Sequence, residues 1–131
     1  MEEGLELGGS SSQKPAMHIK VVGPCASGKS VLAAGLRELG YNASTAAQDH
    51  SYVPDMWQRL NPPDLLIYLD VTLETAHQRG RTGMGWDQKY LDEQHRRLRH
   101  ARSHCDLYLP TDDLGQKEVL ARVLAFMRQG E

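Results

Sequence analysis

The stretch Gly-Pro-Cys-Ala-Ser-Gly-Lys-Ser at residues 23–30 constrains this chain more than any other. It follows the apolar run MHIKVV, residues 17–22, and precedes VLAAGLREL, residues 31–39. Gly23, four residues, then Gly28-Lys29-Ser30 is the spacing of a loop that wraps phosphate. Glycines let the backbone curl so that successive N–H groups face phosphate oxygens, and the following helix start adds partial positive charge. A strand before the motif and a helix after it are the context such a loop needs, and both are predicted here. The nucleotide-binding set is then Gly23, Pro24, Cys25, Ala26, Ser27, Gly28, Lys29, Ser30 and Val31, with the amides of residues 25–30 as donors. Lys29 reaches toward the β- and γ-phosphates, and the Ser30 hydroxyl takes a position on Mg²⁺. Cys25 reads as a small side chain that fits the loop, with an oxidisable thiol at a helix N-terminus as the competing reading.

At 131 residues the chain has material for one domain with one sheet-and-helix core. A formal net charge of −2 gives no bulk footprint for nucleic acid or an anionic membrane. No apolar run approaches a membrane span. Residues 1–16, rich in Gly, Ser and Glu, read as a disordered leader, acidic at its start and without the order of a signal peptide. Met17 is a candidate original start, which makes residues 17–131 the domain. Two cysteines, Cys25 and Cys105, make no disulfide framework, so a reducing cytoplasm is expected.

Periodicity predicts the remaining elements. Residues 31, 32, 36 and 39 make a helical stripe that Gly40 stops. The middle of YNASTAAQDHS reads as a strand, with Asp49 at its end. Pro54 opens a short helix, and DLLIYLDV is a continuous apolar run of the kind parallel sheets bury on both faces. Thr72 caps a helix reaching about Arg79, GRTGMGWD is a glycine-punctuated loop, and Asp87 caps a long polar helix to about Ser103. CDLYLP is the last strand, followed by a helix with Leu114, Val119, Val123, Leu124 and Met127 for its buried face. Strands alternating with helices imply a mainly parallel sheet of about four strands in a three-layer α/β/α arrangement.

From PDLLIYLDVTLETAHQRGR onward the chain resembles the C-terminal half of the thymidylate kinase and deoxynucleoside kinase group of P-loop kinases. The residues carrying the resemblance are Tyr68-Leu69, Thr72, Glu74, Arg79 with Arg81, the YLDEQH stretch from Tyr90 to His95, and the final DLYLPTDDL. The resemblance implies a P-loop NTPase fold, ATP and Mg²⁺ as cofactors, a lid carrying Arg79 and Arg81, and Thr111 and Asp112 bordering adenine. The departure is equally plain. About two dozen residues separate Gly40 from Asp64, too few for the acceptor-binding elements of that group, and no Asp-Arg-Tyr or Glu-Arg motif is present.

The candidate carboxylates for Mg²⁺ are Asp49, beside the loop, and Asp70 as the alternative at the end of LLIYL. Asp49 is favoured, and it can also take a proton from an acceptor hydroxyl. The catalytic set is therefore Lys29, Asp49, Arg79 and Arg81, with Ser30 and Asp49 on the metal. His50 and Tyr52 are expected to share the cleft with Lys29. His100 and His104, next to Cys105, have a metal-ligand spacing but no evident fourth ligand, so a solvated basic face is the plainer reading of that helix. Trp57 reads as a core anchor, and Trp86 as a residue able to stack a base. The leading expectation is a minimal P-loop kinase transferring the γ-phosphoryl group of ATP to a small acceptor, a nucleoside or nucleotide. The competing one is a slow or non-catalytic nucleotide-binding module that signals to a partner. A GTPase lacks its Asn-Lys-x-Asp motif here, and an RNA adaptor built on the basic helix is disfavoured by net charge. The sequence leaves a homodimer open.

Overall fold

Three short runs, at residues 18–22, 65–70 and 107–110, form strands because they offer apolar side chains to both faces, and only a sheet covered twice can bury them, while a fourth strand, Asn42–Thr45, is mostly polar and lies at the sheet edge. The computed structural model describes residues 17–59 and 61–129, and the expected leader at residues 1–16 lies outside the described residues. In chain order the elements are β1 (His18–Val22), α1 (Lys29–Glu38), β2 (Asn42–Thr45), a single 3₁₀ turn (Gln48–His50), α2 (Met56–Arg59), β3 (Leu65–Asp70), α3 (Leu73–Gln78), α4 (Gln88–Arg97), α5 (Arg99–His104), β4 (Leu107–Pro110) and α6 (Gln116–Gln129). The sheet order is β2-β1-β3-β4, and all three pairings are parallel. Val21 stands opposite Thr45 on one side and Ile67 on the other, and Leu69 stands opposite Leu109.

Alternation divides the core. Ile19, Val21, Ile67, Leu69 and Leu109 pack on Leu32 and Leu36 of α1 and on Val119 and Val123 of α6. Val22, Leu66 and Tyr68, one step out of phase, pack on Trp57 of α2 and on Leu98 and Ala101. Helices therefore cover both faces. Lys20 shares the second face, and its ammonium donates to the carbonyls of Trp57 (2.9 Å) and Asn61 (3.0 Å). Burial holds its pKa below the usual lysine range.

Local signals set most boundaries. The Thr72 side chain accepts from the Thr75 amide, Asp87 accepts from the Tyr90 amide, and Gly40, at φ +95°, closes α1. Two expectations are corrected. The long helix after Asp87 is two helices, because the Leu98 amide is shared between the carbonyls of Gln94 and His95 and tightens one turn. Asp49 does not end a strand, because β2 stops at Thr45 and Asp49 sits in the 3₁₀ turn beyond it. No described helix is long and apolar enough to cross a membrane.

Gly23 is fixed by the sheet. A Cβ there would stand 2.1 Å from the Leu69 carbonyl oxygen and 2.8 Å from Ser27 Oγ, whereas a Cβ on Gly28, at φ +96°, would meet open space. Gly23→Ala is expected to lose about 2–3 kcal/mol through forced backbone displacement. Gly28→Ala is expected to lose about 1 kcal/mol from its left-handed backbone. Urea midpoints compare the two directly, and equal losses would contradict the close approach of Gly23 to the Leu69 carbonyl.

Candidate functional site

Because the strands are parallel, all four end at one edge of the sheet. The chain leaves β1 toward β2 on one side and returns to β3 on the other, so the topological switch point lies where Gly23 begins the loop. Parallel α/β sheets bind ligands in such crevices. Between Gly23 and Gly28 the backbone takes positive φ at Gly23 (155°), Ala26 (70°) and Gly28 (96°). Ala26 bears a side chain in that region, a strained conformation held by its surroundings. Helix α1 starts at Lys29 with no side-chain cap, so its first amides are left for another acceptor. Ser27 is 1% exposed, and its Oγ has no hydrogen-bond partner among the described residues. The Ser30 side chain opens on a cleft of about 620 Å³, within the range of small-molecule sites.

Lys29 and Asp49 meet in this cleft. Lys29 Nζ donates to the Gly23 carbonyl at 2.7 Å and to Asp49 Oδ1 at 2.8 Å. The Asp49 side chain has no solvent exposure. Its Oδ2 accepts from the Cys25 thiol at 3.5 Å and lies 3.2 Å from His50 Nε2. Arg97 Nη1 donates to the Asp49 backbone carbonyl, and its guanidinium covers the Tyr52 ring at 4.3 Å. His50 joins Lys29 in the cleft, while Tyr52 stays exposed on Arg97 outside the lining.

Arg79 and Arg81 have different surroundings although both reach the cleft. Arg79 Nη1 donates to the Ala26 carbonyl at 2.8 Å and to Thr111 Oγ1 at 3.0 Å, and Nη2 donates to the Thr111 carbonyl. Thr111, 1% exposed, donates in turn to the Ser27 carbonyl at 2.9 Å. Arg79 thus ties the loop to the end of β4. Arg81 is exposed at the start of a loop with positive φ at Gly83 and Gly85. Trp86 stands in that loop edge-on to Tyr90. Asp112 faces away from the loop, accepting from the amide and hydroxyl of Thr72 at 2.8 and 2.7 Å.

Asp70 belongs to a separate network. It accepts from His95 Nε2 (2.8 Å), from the Val71 amide (2.8 Å) and from the Tyr108 hydroxyl (2.6 Å). Burial pushes its pKa up, but hydrogen bonds from His95, Tyr108 and Val71 outweigh it and hold the carboxyl below the usual value. The same hydrogen bond raises His95, against its own burial. Burial, then the bond to Asp70, pushes Tyr108 up to about 12. His100 and His104 stack on each other, and Trp57 Nε1 donates to His100 Nδ1, which must therefore be unprotonated there.

Two contributors escape sequence reasoning. Gln94, fully buried on α4, accepts from the Cys25 amide at 3.2 Å and donates to its sulfur at 3.3 Å. Arg97 turns inward from a helix that reads as a solvated basic face. A polar residue in a polar helix gives no periodic signal of burial. Comparison with known proteins matches the chain to no family model and to no curated sequence.

The His95–Asp70 pair has a defined pH window. A raised His95 pKa contributes stability that is full below the histidine's unfolded value, about 6.5, and lost as pH rises through the folded value. A lowered Asp70 pKa contributes stability present above about 3.8 and lost as pH falls through its folded value. His95→Gln is expected to cost more stability near pH 5.5 than near pH 8.5, by under about 1 kcal/mol for a partly exposed pair. Denaturant melts at the two pH values measure the difference, and a larger loss at the alkaline value would contradict the pairing.

Proposed function

We propose that the chain has a P-loop NTPase fold, binds Mg·ATP on the 23–30 loop, and transfers the γ-phosphoryl group to a small acceptor of the nucleoside or nucleotide kind. The observation that carries this reading is the Lys29 ammonium, held between the Gly23 carbonyl and a fully buried Asp49 above an uncapped helix start. A lysine parked on a carbonyl and a carboxylate can turn to phosphate oxygens with little motion. The amides at the start of α1, Gly28 to Ser30, would hold phosphate oxygens, those of Cys25 and Ser27 being engaged by Gln94 and the Pro24 carbonyl, and Ser30 with Asp49 would hold Mg²⁺. ATP supplies the phosphoryl group, and its metal neutralises charge on the phosphates. Arg81, on a glycine-punctuated loop, would close over the transferring group. Arg79 keeps the loop's shape. Asp49, with His50 beside it, would take the acceptor's proton. Thr45, Ala46, Ala47 and His50, which also line the cleft, would face the acceptor.

A binding module read by a partner has one observation in its favour. Gln48 donates to the carbonyls of Val53 and Arg97 and accepts from the Trp57 amide, so the segment after β2 is filled by its own packing. Turnover separates the readings. Incubation with Mg·ATP and a panel of nucleosides and nucleoside monophosphates should release ADP with at least one acceptor, and Lys29→Ala should not. Calorimetry on Lys29→Ala that circular dichroism shows to be folded, at the lower Tm expected for an unpaired buried Asp49, should show ATP binding weakened by about 30–100-fold, the equivalent of 2–3 kcal/mol for lost charge-assisted contacts. Arg81→Ala should lower kcat far more than ATP affinity. Unchanged affinity in folded Lys29→Ala would overturn the site, and tight binding without turnover would favour the module.

A further inference from the structure

Cys25, Asp49 and His50 bring three ligand atoms to one point on the wall of the cleft. Cys25 Sγ lies 3.5 Å from Asp49 Oδ2 and 3.5 Å from His50 Nε2, and that nitrogen lies 3.2 Å from Asp49 Oδ2. A nucleophilic Cys-His-Asp relay would place sulfur and carboxylate on opposite ring nitrogens. Here the same nitrogen, Nε2, faces both. At most one imidazole proton and one thiol proton serve three atoms rich in lone pairs, a poor hydrogen-bond triangle but one face of a tetrahedron.

The dimensions fit a particular ion. Zinc bonds of about 2.3 Å to sulfur, 2.05 Å to nitrogen and 2.1 Å to oxygen, at tetrahedral angles, put S···N and S···O at about 3.6 Å and N···O at about 3.4 Å. The three observed separations agree to within about 0.2 Å. Outer partners are also in place, since Lys29 donates to the other oxygen of Asp49 and Gln94 Nε2 donates to the sulfur at 3.3 Å. Such partners orient ligands and tune them. A thiolate and a carboxylate together balance a divalent charge.

We propose that Cys25, Asp49 and His50 bind a divalent cation of the Zn²⁺ class, with a fourth coordination position left for water. Thiolate and imidazole ligands select such an ion over Mg²⁺. Binding releases the Cys25 thiol proton to solvent and cross-links the 23–28 loop to the turn after β2. The site shares Asp49 with the proposed nucleotide site but needs no nucleotide.

The test uses the reduced full chain without nucleotide, titrated with Co²⁺ as a spectroscopic stand-in and then with Zn²⁺. The expected result is one Co²⁺ per chain with a near-ultraviolet thiolate-to-metal band that Zn²⁺ displaces. Zn²⁺ should also raise the Tm. Cys25→Ser should abolish the band and the Tm shift. His50→Ala should weaken binding by at least about tenfold. Cys105→Ser should retain both signals. Circular dichroism verifies that each variant is folded, which partial exposure of Cys25 and His50 favours. A band that survives Cys25→Ser, a band lost in Cys105→Ser, or no thiolate band up to millimolar Co²⁺ in folded wild type would each overturn the proposal.

Discussion

A carboxylate with no solvent exposure must find its compensation inside the protein, and Asp49 organises the cleft for that reason. Desolvating an ionised group costs several kcal/mol unless a partner of opposite charge and further hydrogen bonds replace the lost water. Lys29 supplies the charge, while Cys25 and His50 surround the second oxygen. Those three partners come from the loop, the start of α1 and the turn after β2. Asp49 therefore holds together segments that the sheet only brings near one another.

The remaining tethers act on the loop from the other side. Gln94 of α4 receives the Cys25 amide, Arg79 beyond α3 grips the Ala26 carbonyl, and Thr111 after β4 grips the Ser27 carbonyl. Each tether joins the loop to a residue more than fifty positions away in sequence. A loop with a non-glycine residue at positive φ needs such support to keep one shape. The result is a rigid cradle whose inward-facing polar groups, the Ser27 hydroxyl apart, are already spent on shape. The uncapped amides of α1 and the Ser30 hydroxyl remain for whatever enters the cleft.

Much of this was legible in the chain. Three strands were readable because each is a short apolar run bounded by turn residues, the strand at Asn42–Thr45 carried only a weak pattern, and parallel pairing followed from their alternation with helices. The 23–30 loop was readable because glycine, lysine and serine occur at a fixed spacing that few other structures need. Thr72 and Asp87 announced two helix starts through cap chemistry that acts within three residues. What was illegible depends on contacts distant in sequence. Nothing local separates Arg79, engaged by three backbone and hydroxyl oxygens, from Arg81, exposed beside it. Nothing local shows that Asp112 turns to Thr72 rather than to the cleft. Asp49 was readable as a partner for the loop but not as a member of a 3₁₀ turn, because small residues at 43–47 carry little pattern. Gln48 and Gln94 are polar side chains whose burial is set wholly by tertiary hydrogen bonds.

The Lys29–Asp49 pair also bears on what the cleft can accept under the proposed reading. An isolated anion that drew Lys29 toward itself would take from Asp49 the one lysine it pairs with, leaving a buried carboxylate whose desolvation is no longer offset. Truncating one member of such a pair typically costs about 3–5 kcal/mol, and an anion that draws Lys29 away has to offset a comparable penalty. An anion that arrives with its own divalent cation avoids that cost, because the cation can face Asp49 while Lys29 turns to the anion. The charge on Asp49 is then compensated throughout, and neither group is stranded. The same buried carboxylate that fixes the loop would thus make the site discriminate between a free phosphate and a metal-bound one, through electrostatics already present in the folded chain.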